Sequence, residues 1–242
     1  VENSFVGLAN LADSLVTIKE LVYERRELSL TDFYQMLEAD FAGQQALQQR
    51  ILNHLPKYGN DEPHADQMAA EWASFLIATT EANQVGPHRY VPGFFCWIKH
   101  EQMGRETGAT PDGRRAGWPL SDGAGGAQGR ETQGPTASVL STTTWSHRAI
   151  LGGLVHNVKF SSDMFKTQGQ LDAMRAIIET YLRCGGFEIQ VNVVNKDMLL
   201  DAQVHPERYP DLLVRVAGYS DYFVHLNRNM QDEVIARTEH AL

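Results

Sequence analysis

The chain has 242 residues, 43% of them hydrophobic, and a formal net charge of -9. That suffices for one large domain or two ordinary ones with a real core, and an acidic balance without a long basic run argues against nucleic acid or an anionic membrane as partner. No apolar stretch approaches the ~20 residues that span a bilayer, the N-terminus lacks the zones of a signal peptide, and the two cysteines, Cys96 and Cys184, give no disulfide framework and fit a reducing cytoplasm.

From Asn10 to about Gln49 apolar residues recur at helical spacing, at Leu11, Leu15, Ile18, Leu21 and Val22 and then at Phe33, Leu37 and Phe41. Ser29-Leu30-Thr31-Asp32 offers N-cap chemistry between two such helices. Residues 56–63 break the pattern as a loop, and a helix is expected from Ala65 to Glu81 through Met68, Trp72, Phe75 and Leu76. Tyr90 to Ile98 reads as a short buried strand because aromatic and β-branched residues cluster there. From Gly104 to Gly134 glycine, proline and polar residues dominate, with a turn signature at Thr110-Pro111-Asp112-Gly113. A loop of that length in a compact domain is more often functional or interface-forming than idle.

Further on, Leu171, Met174, Ile177, Ile178, Tyr181 and Leu182 form one helical face that Gly185-Gly186 terminates. Phe187 to Val194 alternates as a half-buried strand should. Asn195 is placed to cap a short helix through Leu200 that His205-Pro206 ends, and Asn227 to cap a last helix with Met230, Val234 and Ile235 on its apolar side. Between them, Leu212 to Val216 and Tyr219 to Leu226 are expected to be extended arms on either side of Gly218.

Three groups of polar residues invite chemistry and read better as structure. The nine histidines show no HExxH or CxxC-type spacing, so hydrogen-bonded or solvated structural roles are expected of them. The run from Gly123 to Gly129 misses the G-x-G-x-x-G spacing by one residue and precedes no Gly-Lys-Ser/Thr, which argues against a nucleotide cradle. Asp112, Arg114 and Arg115 either fix loops by ion pairing or face a substrate cavity, and the first is expected.

Gly218 lies in Arg215-Val216-Ala217-Gly218-Tyr219. A lone glycine between strand-like segments is ordinarily a turn or bulge. A glycine Cα is also where a carbon-centred radical is best tolerated: the unpaired electron is shared with the flanking amide groups, and with no Cβ the centre flattens without a clash.

At this motif the sequence resembles the glycyl radical enzymes, the family of pyruvate formate-lyase and glycerol dehydratase, which carry RVxGY near the C-terminus. Thr107 to Gly117 resembles the family's TGATPDGR segment, Gly185-Gly186 through Asn195 its GG-x-x-[IL]-Q-x-NVV strand, and Leu199 to Gln203 with Pro206 to Tyr209 the helix and turn before the radical loop. The resemblance implies an α/β fold, the C-terminal part of the family's barrel, with residues 1–117 from the barrel and 118–242 as the glycine radical domain. It implies that Gly218 stores a radical installed by an activating enzyme that uses S-adenosylmethionine and an iron–sulfur cluster, and that Arg215, Val216, Ala217 and Tyr219 position it. No metal or organic cofactor is then expected in this chain.

In the family the radical passes to a cysteine on a Gly-Cys loop. Cys96 and Cys184 lie in other contexts and are expected to pack as small hydrophobes. The thiyl cysteine is therefore expected on an N-terminal part outside these residues, and Val1 in place of methionine suggests an excerpt of something longer. The implied activity is lyase or dehydratase chemistry on a small polar substrate under anaerobic conditions, in a homodimer when full length. Val214 to Phe223 looks closer to the glycerol dehydratase branch, with formate C-acetyltransferase activity or a stand-alone radical-donating subunit as alternatives.

Overall fold

Helix α1 (Leu8–Ile18) buries Leu8, Ala9, Ala12 and Val16 on one side and Asn10, Asp13, Ser14 and Thr17 on the other, so it is enclosed nearly all round. In this computed structural model of the protein, residues 1–95, 98–161, 165–216, 219–237 and 239–240 are described. The alanines let α1 approach α4 (Pro63–Ala82) closely, Ala9 and Ala12 meeting Ala65, Ala69 and Tyr58. Its polar side is taken up by the loops it organises. Asp13 Oδ1 accepts the Tyr58 amide at 2.8 Å, Asn10 donates to Asp112 at 2.7 Å, and Ser14 Oγ accepts the Asp112 amide at 3.2 Å.

The helical run expected to Gln49 is divided more finely. A wider π-type turn (Lys19–Glu24) extends α1, and α2 (Leu30–Glu38) and α3 (Gln45–His54) follow. Ser29 caps α2 as expected, its Oγ accepting the Asp32 amide at 3.0 Å. Phe41 keeps its place in the hydrophobic pattern but not in a helix: Asp40 and Phe41 take left-handed φ of 49° and 57° in the turn, while the Phe41 ring stays buried beside Leu21, Phe33 and Ile51. Apolar spacing marked burial here, not helix.

Parallel strands recur. β1 (Glu2–Ser4) pairs with β2 (Val91–Gly93), and β3 (His156–Phe160) lies between β4 (Ile189–Val193) and β7 (Glu239–His240). The strand expected over residues 90–98 is shorter than the composition suggests: it ends at Gly93, Phe94 makes an isolated bridge to Leu154, and Cys96 and Trp97 lie outside the described residues. After α5 (Lys99–Glu106) the expected long loop runs to α6 (Gly134–Thr142). It is held internally by Arg114, whose guanidinium donates to the carbonyls of Trp118 (2.6 Å), Arg115 (3.1 Å) and Gly108. Arg115 pairs with Asp40 at 2.8 Å. These arginines therefore fix loops, as expected.

Helix α7 (Gln168–Arg183) joins β3 to β4, with Ile177 and Tyr181 packed on Val139, Val158 and Phe160. Its buried face is narrower than the sequence suggests, since Leu171 and Leu182 are exposed. Helix α8 (Lys196–Val204) runs further than Leu200 and stops at His205-Pro206 as expected. Asn195 caps it, accepting the Asp197 amide at 2.8 Å. No helix among the described residues is long and apolar enough to cross a membrane.

Candidate functional site

Arg215, Val216 and Tyr219 of the RVAGY segment stand at the end of an antiparallel strand pair. β5 (Leu213–Arg215) pairs with β6 (Ser220–Tyr222) in the register Leu213↔Tyr222, Val214↔Asp221 and Arg215↔Ser220, and the Val216 amide donates to the Tyr219 carbonyl at 2.9 Å. Ala217 and Gly218, both singled out from the sequence, lie outside the described residues. The second arm is shorter than expected: after Tyr222 the chain turns into a 3-10 turn (Phe223–His225) instead of running extended to Leu226.

Alternation along the first arm decides what faces what. Val214 and Val216 are both buried in a cluster with Val194, Leu199, Phe223, Met230 and Val234, which packs β5 against α8 and the last helix, α9 (Arg228–Ala236). Asn227 caps α9, accepting the Met230 amide at 3.0 Å. Burying each valine side chain contributes about 1.5–3 kcal/mol. Arg215, between them, points the other way. Its Nε donates to Gln190 Oε1 at 2.9 Å and its Nη1 to Ser220 Oγ at 3.3 Å. Tyr219 is half-buried, and burial, with Asp221 nearby, raises its phenol.

Strand β4 supplies the opposing surface with a reversal of what its pattern predicts. Gln190 and Asn192 are its buried residues, while Val193 is exposed and Ile189 and Val191 are half-buried against α7. The polar face turns inward because the hairpin gives it partners: Gln190 accepts from Arg215, and Asn192 Nδ2 donates to the Arg215 carbonyl at 3.4 Å.

Behind the hairpin lies a buried ion pair that the motifs did not point to. Arg237 Nε donates to Glu233 Oε1 at 3.1 Å and Nη2 to Oε2 at 2.9 Å. His100 Nε2 of α5 lies 3.6 Å from the same carboxylate, and Gln128 donates to it at 3.3 Å. Burial by itself would favour the neutral acid, but the Arg237 guanidinium and His100 outweigh it and hold the Glu233 carboxyl below the ordinary range. The available signal was local: Glu233 and Arg237 stand at i,i+4, the spacing that brings opposite charges together on a helix.

A second buried polar group centres on Glu131. Glu131 Oε1 accepts from Ser138 Oγ at 2.7 Å and from the Gly126 amide at 2.9 Å; Ser138 Oγ lies 3.2 Å from His156 Nε2, and His240 Nε2 is 3.5 Å from Glu131 Oε2. The residue types are those of a hydrolytic triad, but serine donates to the carboxylate instead of to histidine, and all four residues are buried. This is a structural network. Burial pushes the Glu131 carboxyl up, yet His240, His156 and Ser138 together bring it down to about 2. A carboxyl depressed in the folded state contributes stability that is complete above its ordinary pKa and is lost as pH falls through the depressed value. The stability difference between wild type and Glu131→Gln, measured by urea unfolding, is therefore expected to be largest above about pH 4.5 and to shrink steadily towards pH 2.

Cys184 does not pack as a small hydrophobe. It caps the C-terminal end of α7 in an exposed position, where the helix has run out of buried face. Cys96 lies outside the described residues. Of the residues named from sequence, the structure brings Arg215, Val216 and Tyr219 together at the hairpin end.

Residues 120–224 match the glycine radical family model, and residues 2–104 match the pyruvate formate lyase-like model. The chain is 36% identical to trans-4-hydroxy-L-proline dehydratase of Clostridioides difficile over 97% of its own length and 30% of the relative's. It is 37% identical to isethionate sulfite-lyase of Bilophila wadsworthia over 98% of its length and 29% of the relative's. The glycerol-bound structure of the B12-independent glycerol dehydratase from Clostridium butyricum superposes on the whole chain with a TM-score of 0.93 at 36% identity, and 31% of that structure is covered. The chain thus has the fold of the corresponding part of these enzymes and spans about 30% of the length of the curated relatives it matches.

Proposed function

Because the chain belongs to the glycyl radical enzymes, we propose that it carries the radical-storing part of such an enzyme, with the unpaired electron on the Cα of Gly218. The observation that supports this most directly is the hairpin: Val216 and Tyr219 flank the Ala217-Gly218 pair, joined by a backbone hydrogen bond, at the place where the sequence carries the RVxGY motif. Val216, buried without exposed surface, ties the approach to Gly218 into a dry core. Arg215, Val216, Ala217 and Tyr219 are positioning residues in this reading.

Loss of one α-hydrogen from Gly218 leaves an electron shared with the flanking amides, so the radical is made from the protein's own backbone. Its partners are an S-adenosylmethionine-dependent iron–sulfur activating enzyme, which removes the hydrogen atom, and a cysteine on a part of the enzyme outside these 242 residues. Residues 1–117 belong to the barrel and 118–242 to the glycine radical domain. The overall activity is lyase or dehydratase chemistry on a small polar substrate, a reading supported by relatives whose names are dehydratases and a sulfite-lyase and by the wording of Val214 to Phe223.

The test is spectroscopic. Full-length enzyme treated anaerobically with its activating enzyme is expected to give a doublet electron paramagnetic resonance signal, split by the one remaining Gly218 α-hydrogen. Protein grown on α-deuterated glycine should show that doublet collapsed to a single line. A fully activated preparation with no organic radical, or a doublet unchanged by the label, rejects the assignment.

A further inference from the structure

One side chain grips the carbonyls of Arg215 and Val216, the last two described residues before the Ala217-Gly218 pair. Arg237, at the C-terminal end of α9, donates Nη1 to the Arg215 carbonyl at 3.0 Å and Nη2 to the Val216 carbonyl. The same guanidinium makes two bonds to Glu233, whose side chain is fully buried, and its own is only 9% exposed. We propose that Arg237 is a positioning residue for the radical loop, a buried clamp that fixes the hairpin from behind and is itself held by Glu233 and His100. The inference rests on the radical assignment to Gly218.

The chemistry of the contact explains why arginine stands there. Two three-residue strands make a hairpin that is marginal by itself. Successive carbonyls of an extended arm point in different directions, and bonding both from one side chain needs a planar group with several donors at fixed angles. Guanidinium provides five, whereas an ammonium is a single point. A buried cation is tolerated only beside an anion, and Glu233, one helical turn earlier on α9, supplies it; the helix C-terminus also favours positive charge at Arg237.

The anion is in turn fixed from outside α9. His100 lies on α5, in the portion that matches the pyruvate formate lyase-like model, and Asn229 Nδ2 of α9 donates to Glu101 Oε1 of the same helix at 3.0 Å. The clamp therefore sets the hairpin relative to the barrel portion as well as to its own core. The reading differs from general core packing: Arg237 touches backbone oxygens of the hairpin, so its removal should loosen that segment selectively.

Hydrogen exchange in the unactivated full-length enzyme reads this without any radical. The double variant Arg237→Gln/Glu233→Gln removes both charges and orphans neither, and Arg237→Lys keeps the charge without the fork. Both are expected to speed amide exchange across residues 212–223 about tenfold or more, a change of at least about 1.4 kcal/mol in local opening, with α1 and α4 unchanged. After activation, both should hold several-fold less radical per chain than wild type. Wild-type-like exchange of the hairpin in either folded variant overturns the proposal. If wild type gives no radical while the variants still exchange faster, the radical assignment fails and the clamp stands. If wild type gives the radical and hairpin exchange does not move, the clamp fails and the assignment stands.

Discussion

Gly218→Ala is expected to take the activated enzyme from a measurable doublet to no organic radical at all, and turnover to background with it. The effect is qualitative because two properties vanish together. Alanine has one α-hydrogen where glycine has two, and the methyl group that replaces the other crowds the neighbouring peptide units as the carbon flattens. Binding of substrate to the remainder of the enzyme has no reason to change. The outcome to look for is full-length, folded protein that binds substrate with wild-type affinity and shows neither signal nor product after activation.

Oxygen supplies a second readout of the same substitution. A backbone radical reacts with dioxygen and the chain is cleaved at that residue, so activated wild type exposed to air should yield two pieces that break at position 218. Gly218→Ala should stay intact under the same treatment. Cleavage of the variant at the wild-type position would mean that the radical resides on another atom.

Gly123→Ala is expected to cost about 3 kcal/mol or more of folding stability, from a left-handed alanine and an overpacked contact acting together. Gly123 has φ 59°, and a Cβ there would lie 2.0 Å from the Val155 carbonyl oxygen. That oxygen cannot simply move aside, since it accepts the Ala124 amide at 2.7 Å. In a chain of this size the midpoint of thermal unfolding should fall by about 6–12 °C. Gly169→Ala, in the first turn of α7 with open space around the new methyl, is the comparison expected to be neutral or slightly stabilising. Equal midpoints for the two variants would show that the Gly123 backbone is free to adjust.

The same glycine explains a motif that looked like a phosphate cradle. Gly126 has the Tyr58 carbonyl oxygen and Glu131 Cγ within 2.8 Å of where a Cβ would stand, and Gly59 faces Glu131 from the other side. Glycine is required at Gly123 and Gly126 because backbone packs on backbone there, with Glu131 bridging the pieces. The sequence showed that the run failed the spacing of a nucleotide loop; the reason for Gly123 and Gly126 lies in the carbonyls of Val155 and Tyr58, 32 and 68 positions away.

Signals confined to one turn of chain were legible. Ser29, Asn195 and Asn227 cap the helices expected of them, because a cap needs only the side chain and an amide two or three residues on. The Thr167-Gln168-Gly169-Gln170 capping box at the start of α7 is a signal of the same local kind. The family motifs were legible for a related reason: Thr107 to Gly117, Gly185 to Asn195 and Arg215 to Tyr219 are contiguous words whose order and spacing survive in one dimension.

By itself, then, the sequence determined the family resemblance, the RVxGY motif on which the proposed chemistry rests and the ends of several helices. Only the tertiary structure decided that Gln190 and Asn192 face inward, that Phe41 is buried in a turn and that Arg237 holds the carbonyls before Gly218. The physical reason is that a polar side chain is buried wherever a distant partner satisfies it. Arg215 meets Gln190 across 25 positions, Arg237 meets Val216 across 21, and Asn229 meets Glu101 across 128. Such choices are made when the chain closes on itself, and no window of neighbouring residues records them.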